Sequence, residues 1–287
     1  MLLEELVNHL RCPDCLSENV AAARGSFACT DCGRVMAVRD GVIYALPAAL
    51  DVESSANLSH YEKMAQRESS HLDQRSLTRN HRIKMEMVLN TLCLRDAGKA
   101  YTVLELGTGS GSHGAAVADC GHEYIGVDIA PSALRRAAER HPSLASATLV
   151  AGDATRLPVK NDQFDRAFCV GTLHHLPEPL DGLREVIRSL ARGGRFCVLE
   201  PKRFYPAHFA GYVRNPQVEI GTLKVSGRRF AGCLRELGVS EFGFAYCVYT
   251  PNRPAVFLPL YDVIDKICES THALHWLSVM YCVHGTK

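Results

Sequence analysis

The chain has 287 residues, 47% of them apolar and 22% charged, with a formal net charge of +1. These values fit one large folded unit or two ordinary ones and exclude a disordered or low-complexity polymer. Lys and Arg number 32 against 31 Asp and Glu, so no global positive field marks a nucleic-acid or acidic-membrane binder, although a local basic patch would still serve RNA.

The opening, MLLEELVNHLRC, carries two Glu and no basic stretch, so it does not read as a secretory signal. No run of about 18 apolar residues follows, so no membrane span is expected. The expected location is the cytoplasm. Cys12 and Cys15 form one Cys-x-x-Cys pair, and Cys29 and Cys32 form a second after 13 intervening residues. Turn formers accompany both: Pro13 and Asp14 in the first, Asp31 and Gly33 at the second. The stretch SFACT reads as a strand leading into the second pair. Two such turns deliver four thiolates to one tetrahedral zinc, and four thiolates leave no open position for catalysis, so the metal is expected to be structural. Neither pair opens a helix after a strand, which disfavours a redox reading. The other eight cysteines, such as Cys169 and Cys197, sit mostly in apolar runs and read as reduced thiols.

The flanks LLEELVNHLRCPDC and CGRVMAVRDGVIYALP resemble the Trm112-like zinc-ribbon family over about residues 2–47. That resemblance implies a helix before the first pair, a hairpin after the second, and a module that does no chemistry itself. Small partner proteins that activate methyltransferases belong to this family, so docking through the ribbon, or a homodimer, is an expected mode of assembly. The polar stretch 48–60 reads as a linker.

Helices are expected next, through HYEKMAQ and the region around Ile83, Met87, Val88, Thr91 and Leu92, which share one helical face; Gly98 fits their stop. From Tyr101 the apolar runs YTVLEL, EYIGVD, ATLVAG, DRAFCVG and RFCVLEP alternate with helical stretches, the pattern of a parallel α/β sheet. Beyond Pro201 the pattern predicts a helix at VSGRRFAGCLRELG, a strand at SEFGFAYCVYT, a helix at AVFLPLYDVIDKICEST and a last strand at WLSVMYCVHG.

VLELGTGSGSHG is a strand, a glycine turn and a helix start. Gly109, Gly111 and Gly114 fit the dinucleotide fingerprint, and Asp128 lies 19 residues past Gly109, so NAD(P) or FAD is a rival ligand. The register argues the other way. An acid at Glu105, two residues before Gly107, would oppose a pyrophosphate but suits the ammonium and sulfonium of S-adenosylmethionine. Asp128 and Asp153 follow at the next strand ends, facing the crevice where this architecture takes its ligands.

Taken in order, VLELGTGSG, GVDIAPSAL, AGDATRLPVKNDQFD, GTLHHLPEP and LREVIRSLARGGRFCVLEP resemble the motifs of class I S-adenosylmethionine-dependent methyltransferases, nearest the ubiquinone/menaquinone-type small-molecule branch. The resemblance covers residues 60–200 and, loosely, 200–287. It implies an α/β Rossmann-like, seven-stranded sheet of order 3-2-1-4-5-7-6 with the last strand antiparallel, over residues 61–287. It implies a cofactor loop of Glu105, Gly107, Thr108, Gly109 and Gly111. It assigns Asp128 and Ile129 to ribose and adenine, Asp153 and Ala154 to adenine, and Cys169, Val170 and Gly171 to the methionine side. Tyr61 would sit on a helix covering the cofactor.

Three residues are candidates for chemistry: His174 and His175 after the fourth strand and Glu200 at the end of the fifth, where it would face substrate. For His175 a structural or cofactor-gating duty ranks above that of a base, His174 stays open between the two, and salt bridging is the alternative for Glu200. Arg203, Tyr205, His208, Asn215 and Lys224 fall where substrate-specific segments usually lie, and His272, His275 and Trp276 precede the last strand. The expected function is methyl transfer to a small-molecule acceptor such as a natural-product, sugar or lipid intermediate. The alternatives are an rRNA or tRNA base methyltransferase, with Lys202, Arg203 and Arg214 as phosphate contacts, and a non-catalytic binding or activator protein.

Overall fold

The computed structural model describes residues 6–67, 78–96, 98–203, 220–251 and 255–287. The apolar runs after Tyr101 form the parallel centre of a sheet: β5 (Thr102–Leu106), β6 (Glu123–Asp128), β7 (Thr148–Ala151), β8 (Phe164–Val170) and β9 (Leu190–Pro201). Their spatial order is β7-β6-β5-β8-β9, continued by β11 (Met280–Thr286) and then β10 (Glu241–Cys247). β11 runs antiparallel to both neighbours. This is the expected order, 3-2-1-4-5-7-6 with a reversed last strand. The central strands are apolar on both faces because helices cover both; Val103 and Leu104 are fully buried.

The helices are α1 (Val52–Arg67), α2 (Arg79–Thr91), α3 (Ser112–Asp119), α4 (Pro131–Arg140), α5 (Pro179–Ser189), α6 (Gly227–Glu236) and α7 (Leu258–Ser270). Local chemistry fixes several of their starts. Pro131 and Pro179 sit in first turns, where a missing N–H costs nothing, and the Glu178 carboxylate accepts from Leu180 N at 3.1 Å. Among the described residues no helix is long and apolar enough to cross a membrane.

The N-terminal strands β1 (Val20–Ala23), β2 (Ser26–Cys29), β3 (Val35–Arg39) and β4 (Val42–Tyr44) form an antiparallel meander. β4 then pairs in parallel with β7, Val42, Ile43 and Tyr44 lying opposite Leu149, Val150 and Ala151. Among the described residues the strands make one 11-stranded sheet. Leu10, Phe27 and Met36 belong to the same buried apolar cluster as Leu104, Ile125 and Val150.

The expected linker at 48–60 needs correction: α1 begins inside it and runs through residue 60 without a break. Asp51 caps the helix, accepting from Ser54 N at 2.8 Å and Ser54 Oγ at 2.7 Å. The polar composition hid a buried face. Ser54 and Ala65 are almost fully buried, and Glu62 accepts from Ser132 N at the start of α4 at 2.9 Å.

Candidate functional site

The carboxyl ends of β5 to β8 open beneath α1. A cavity of about 210 Å³ lies there, bounded by Gly107 and Gly109 after β5, Asp128 and Ile129 after β6, Asp153 and Ala154 after β7, and Val170 and Gly171 after β8. Tyr61 of α1 closes it, its ring edge-on to His175 at 5.6 Å between centroids. A second cavity of about 410 Å³ shares Tyr61, Gly107, Gly109, Asp128 and Val170 and adds Thr108.

The glycine turn is shaped by contact as well as by dihedral angle. Gly107 has φ +81°, and a Cβ there would stand 2.1 Å from Thr172 Oγ1, so loop and β8 turn touch as no other residue would allow. Asp128 locks the loop from the next strand: its Oδ2 accepts from Gly109 N at 2.8 Å and its Oδ1 from Ala130 N at 2.9 Å. Burial pushes the Asp128 carboxyl up, and the Ala130 and Gly109 amides work against that. Asp153 is almost fully buried and accepts from Thr155 N and Oγ1 at 2.8 and 2.9 Å, shaping the third strand end.

Residues 104–198 match the family model described as a methyltransferase domain. That stretch is similar to a methyltransferase domain. A demethylmenaquinone methyltransferase from Beutenbergia cavernae is 34% identical over 110 residues, which are 38% of this chain and 45% of that protein. The chain thus spans less than half the length of the first curated relatives it matches. Among solved structures, an S-adenosylmethionine-dependent methyltransferase from Thermotoga maritima aligns with TM-score 0.54 at 18% identity, covering 79% of this chain and all of that one. A chain from the complex of the Haloferax volcanii Trm112 methyltransferase activator and its partner aligns with TM-score 0.51 at 18% identity, covering 83% of this chain and 99% of that one. The strand order is the one that the sequence resemblance implies.

Several expected site residues of the methyltransferase domain lie behind the cavity wall. Glu105, 1% exposed, bounds neither cavity; it is hydrogen-bonded by Tyr124 Oη beneath the glycine loop. Gly111 starts α3 with φ +78°, and a Cβ there would meet Ala137 Cβ at 2.6 Å, so this glycine serves helix packing. Cys169 is buried within β8, its Sγ 3.7 Å from Glu200 Oε1.

Glu200 does not face the cavity. It is fully buried and accepts from Thr172 N at 3.1 Å, Leu173 N at 2.8 Å, His174 N at 3.4 Å and His174 Nδ1 at 2.7 Å. His174 is buried too, with its ring 3.8 Å from that of His175, and only His175 of the pair bounds the cavity. Glu200 therefore holds the turn that carries His175, its strand-end carboxylate accepting from that turn's amides.

Farther out, Lys202 donates to the carbonyls of His275 and Trp276 and Lys224 to that of Pro177. The His272 and His275 rings lie tilted to each other, 4.9 Å between centroids, and Trp276 is 70% exposed. Tyr205, His208, Arg214 and Asn215 lie outside the described residues.

Sequence reasoning missed Ser54 and Asn57, which bound the smaller cavity, and His81 and His113, which bound the larger. His81 Nε2 lies 3.0 Å from Ser112 Oγ, and its ring is 4.3 Å from that of His113. Burial pushes His81 down to about 4 and His113 well below the usual imidazole range, so both are neutral at physiological pH. Spacing 54-57-61 on one helical face was the available signal for the first pair; His113, in the first turn after the glycine loop, was the signal for the second.

A pH effect follows from Glu105. Burial pushes it up to about 8 despite the Tyr124 hydrogen bond, and the nearby Asp128 charge adds to the rise. A carboxyl raised above its unfolded value of 4.5 contributes stability that is full below that value and is lost as pH rises through the folded one. Wild type should lose stability relative to Glu105→Gln by about 1 kcal/mol per pH unit between the two values. Urea unfolding of both proteins at a series of pH values checks this; a pH-independent difference would refute it.

The four ribbon thiols form a separate centre. Their Sγ atoms all lie within 4.8 Å of one another, with Cys12 to Cys32 at 3.5 Å and Cys15 to Cys29 at 3.6 Å. Four sulfurs at about 2.3 Å from one zinc stand about 3.8 Å apart, so the set fits the ion. Burial raises the Cys29 thiol, but the backbone amides of Cys32 and Asp31 bring it down to about 7, while Cys12 is pushed up, chiefly by burial, so Cys29 gives up its proton before Cys12.

Proposed function

We propose that the chain is an S-adenosylmethionine-dependent methyltransferase acting on a small-molecule acceptor, with a structural zinc in its N-terminal ribbon. One observation carries this reading: the strand-end acids Asp128 and Asp153 and the glycine turn at Gly107 and Gly109 bound one cavity beneath α1. In this reading Asp128 takes the ribose hydroxyls and Ile129, Asp153 and Ala154 hold adenine. Gly107, Thr108, Gly109, Val170 and Gly171 line the methionine side, and Tyr61 closes over it. Glu105 and Cys169 support these walls from behind.

When bound, S-adenosylmethionine supplies a methyl group that is already electrophilic at its sulfonium. The chain's own task is to hold an acceptor in line and exclude water, and α1 is suited to the second. His175, at the wall of the smaller cavity, is one imidazole placed to take a proton from an acceptor that must lose one, an effect of roughly 10²–10⁴-fold; His81 and His113 stand at the larger cavity. His174 and Glu200 position His175. Cys12, Cys15, Cys29 and Cys32 would hold zinc with no ligand position left for chemistry.

The balanced charge supports a small acceptor over RNA, as do the engaged Lys202 and Lys224 and the name of the B. cavernae relative. The test incubates the protein with methyl-labelled cofactor and either total RNA or a small-molecule extract. Label should enter the extract. Label in RNA, lost on charge reversal at Lys202 and Arg203, would overturn the acceptor class, and tighter binding of NAD than of S-adenosylhomocysteine would overturn the cofactor.

A further inference from the structure

We infer that the metal centre of the ribbon and the adenine end of the cofactor site are mechanically coupled, with Arg11 and Arg156 as the positioning residues that join them. The inference rests on the cofactor reading above and on the four thiols holding a metal.

The chain of contacts starts in the first cysteine turn. Asp14 lies between Cys12 and Cys15, and its carbonyl accepts from Arg156 Nη2 at 2.7 Å. Asp14 is itself held: its Oδ1 accepts from Ala48 N at 2.8 Å, and its Oδ2 lies 3.5 Å from Arg34 Nε. Arg11, the residue before Cys12, is buried and donates from Nε to Leu157 O at 2.7 Å and from its backbone N to Pro158 O at 3.1 Å. Its Nη2 meets Glu185 Oε2 at 2.5 Å, and the same oxygen accepts from Leu157 N at 2.8 Å. Lys160 N donates to His9 O at 2.8 Å, and Leu10 bridges Val159. Residues 156–160 thus lean on residues 9–14 throughout.

The same segment begins at the cavity. Arg156 N donates to Asp153 O at 3.1 Å, and Gly152, Asp153 and Ala154 bound the smaller cavity. The second cysteine turn reaches the same place by another route. It leads through β3 to β4, which pairs with β7, and Ala45 N donates to Ala151 O at 2.8 Å, one residue before Gly152. Both arms of the ribbon therefore grip the segment carrying Asp153.

The ribbon strands are three to five residues long, too short to hold their shape as an isolated meander. A four-thiolate metal fixes the two turns from which both arms spring. Removing the metal releases Asp14 and Arg11, and with them the far wall of the adenine subsite. Cofactor affinity then reports on a metal that touches no cofactor.

The test uses the full chain, metal-loaded and after chelator treatment, with zinc measured in both. Affinity for S-adenosylhomocysteine is read by calorimetry and amide exchange of residues 152–160 without ligand. Metal removal should weaken binding roughly tenfold, within the usual range of coupling free energies, and speed exchange at 152–160. Arg156→Ala, which keeps all four thiols, should weaken binding several-fold with the metal in place and blunt the effect of removing it. Should the stripped protein unfold, Arg156→Ala alone decides the matter. Affinity and exchange both unchanged within twofold, on metal removal or in the variant, would overturn the coupling. A metal-loaded protein that binds no S-adenosylhomocysteine would overturn the cofactor reading instead, and the exchange measurement would still judge the mechanical link.

Discussion

Asp128→Ala should weaken S-adenosylhomocysteine binding at least 100-fold while lowering the melting temperature only slightly. The carboxylate has two duties that the two measurements separate. It holds the glycine turn through Gly109 N and Ala130 N, and it bounds both cavities. Gly109 bounds the cavity, so water can replace the carboxylate at its amide, whereas Ala130 is fully buried, and folding loses about 1–2 kcal/mol, less than binding does. A ribose diol loses two charge-assisted hydrogen bonds at about 1.5–3 kcal/mol each, which is where the hundredfold arises. Asp128→Asn, which keeps one acceptor oxygen and the shape, should fall between. Calorimetry with S-adenosylhomocysteine and thermal unfolding of the three proteins decide the question. An affinity for Asp128→Ala within threefold of wild type would remove Asp128 from the cofactor site.

The sheet was legible because its signals are local. Apolar runs of strand length, the turns after them and the helical stretches between survive in one dimension, and the strand order came with the motif resemblance. The strand-end positions Asp128, Asp153 and Gly107 were legible for the same reason: a crevice forms wherever the carboxyl ends of such strands meet. What one dimension does not record is which way a strand-end side chain turns. Glu105 and Asp128 both belong to strand termini, yet Glu105 points to Tyr124 behind the loop and Asp128 bounds the cavity. Long-range docking was equally hidden. Nothing local in VIY marks β4 as the partner of β7, and the polar face of α1 masked a lid as a linker. Nothing local marks Arg11 as buried, although it is 5% exposed and donates to the Leu157 carbonyl 146 residues away.

Glu200 tests that limit most directly, because sequence position alone suggested a substrate-facing acid. Its surroundings predict a large stability effect instead. Glu200→Ala strips the acceptor from the backbone N–H groups of Thr172, Leu173 and His174 and from His174 Nδ1, and of these residues Leu173 and His174 are buried. A buried donor left without its acceptor costs about 1–3 kcal/mol, so the orphaned amides and the imidazole together cost roughly 3–5 kcal/mol. At about 2–4 °C per kcal/mol for a chain of this size class, the melting temperature should fall by about 10 °C or more. The loss should reach the cavity as well. The freed turn carries Thr172, against which Gly107 packs, and His175, which faces Tyr61. Cofactor affinity therefore falls together with stability. Glu200→Gln keeps one oxygen for the Leu173 and Thr172 amides, and His174 can offer its other tautomer to the new amide, so this variant should lose only about 1–2 kcal/mol. A substrate-facing acid predicts the opposite pattern: both variants fold and bind cofactor like wild type, and only turnover suffers. Thermal unfolding of the two variants beside calorimetry with S-adenosylhomocysteine separates the two, and a Glu200→Ala protein melting within about 2 °C of wild type would return Glu200 to the substrate side.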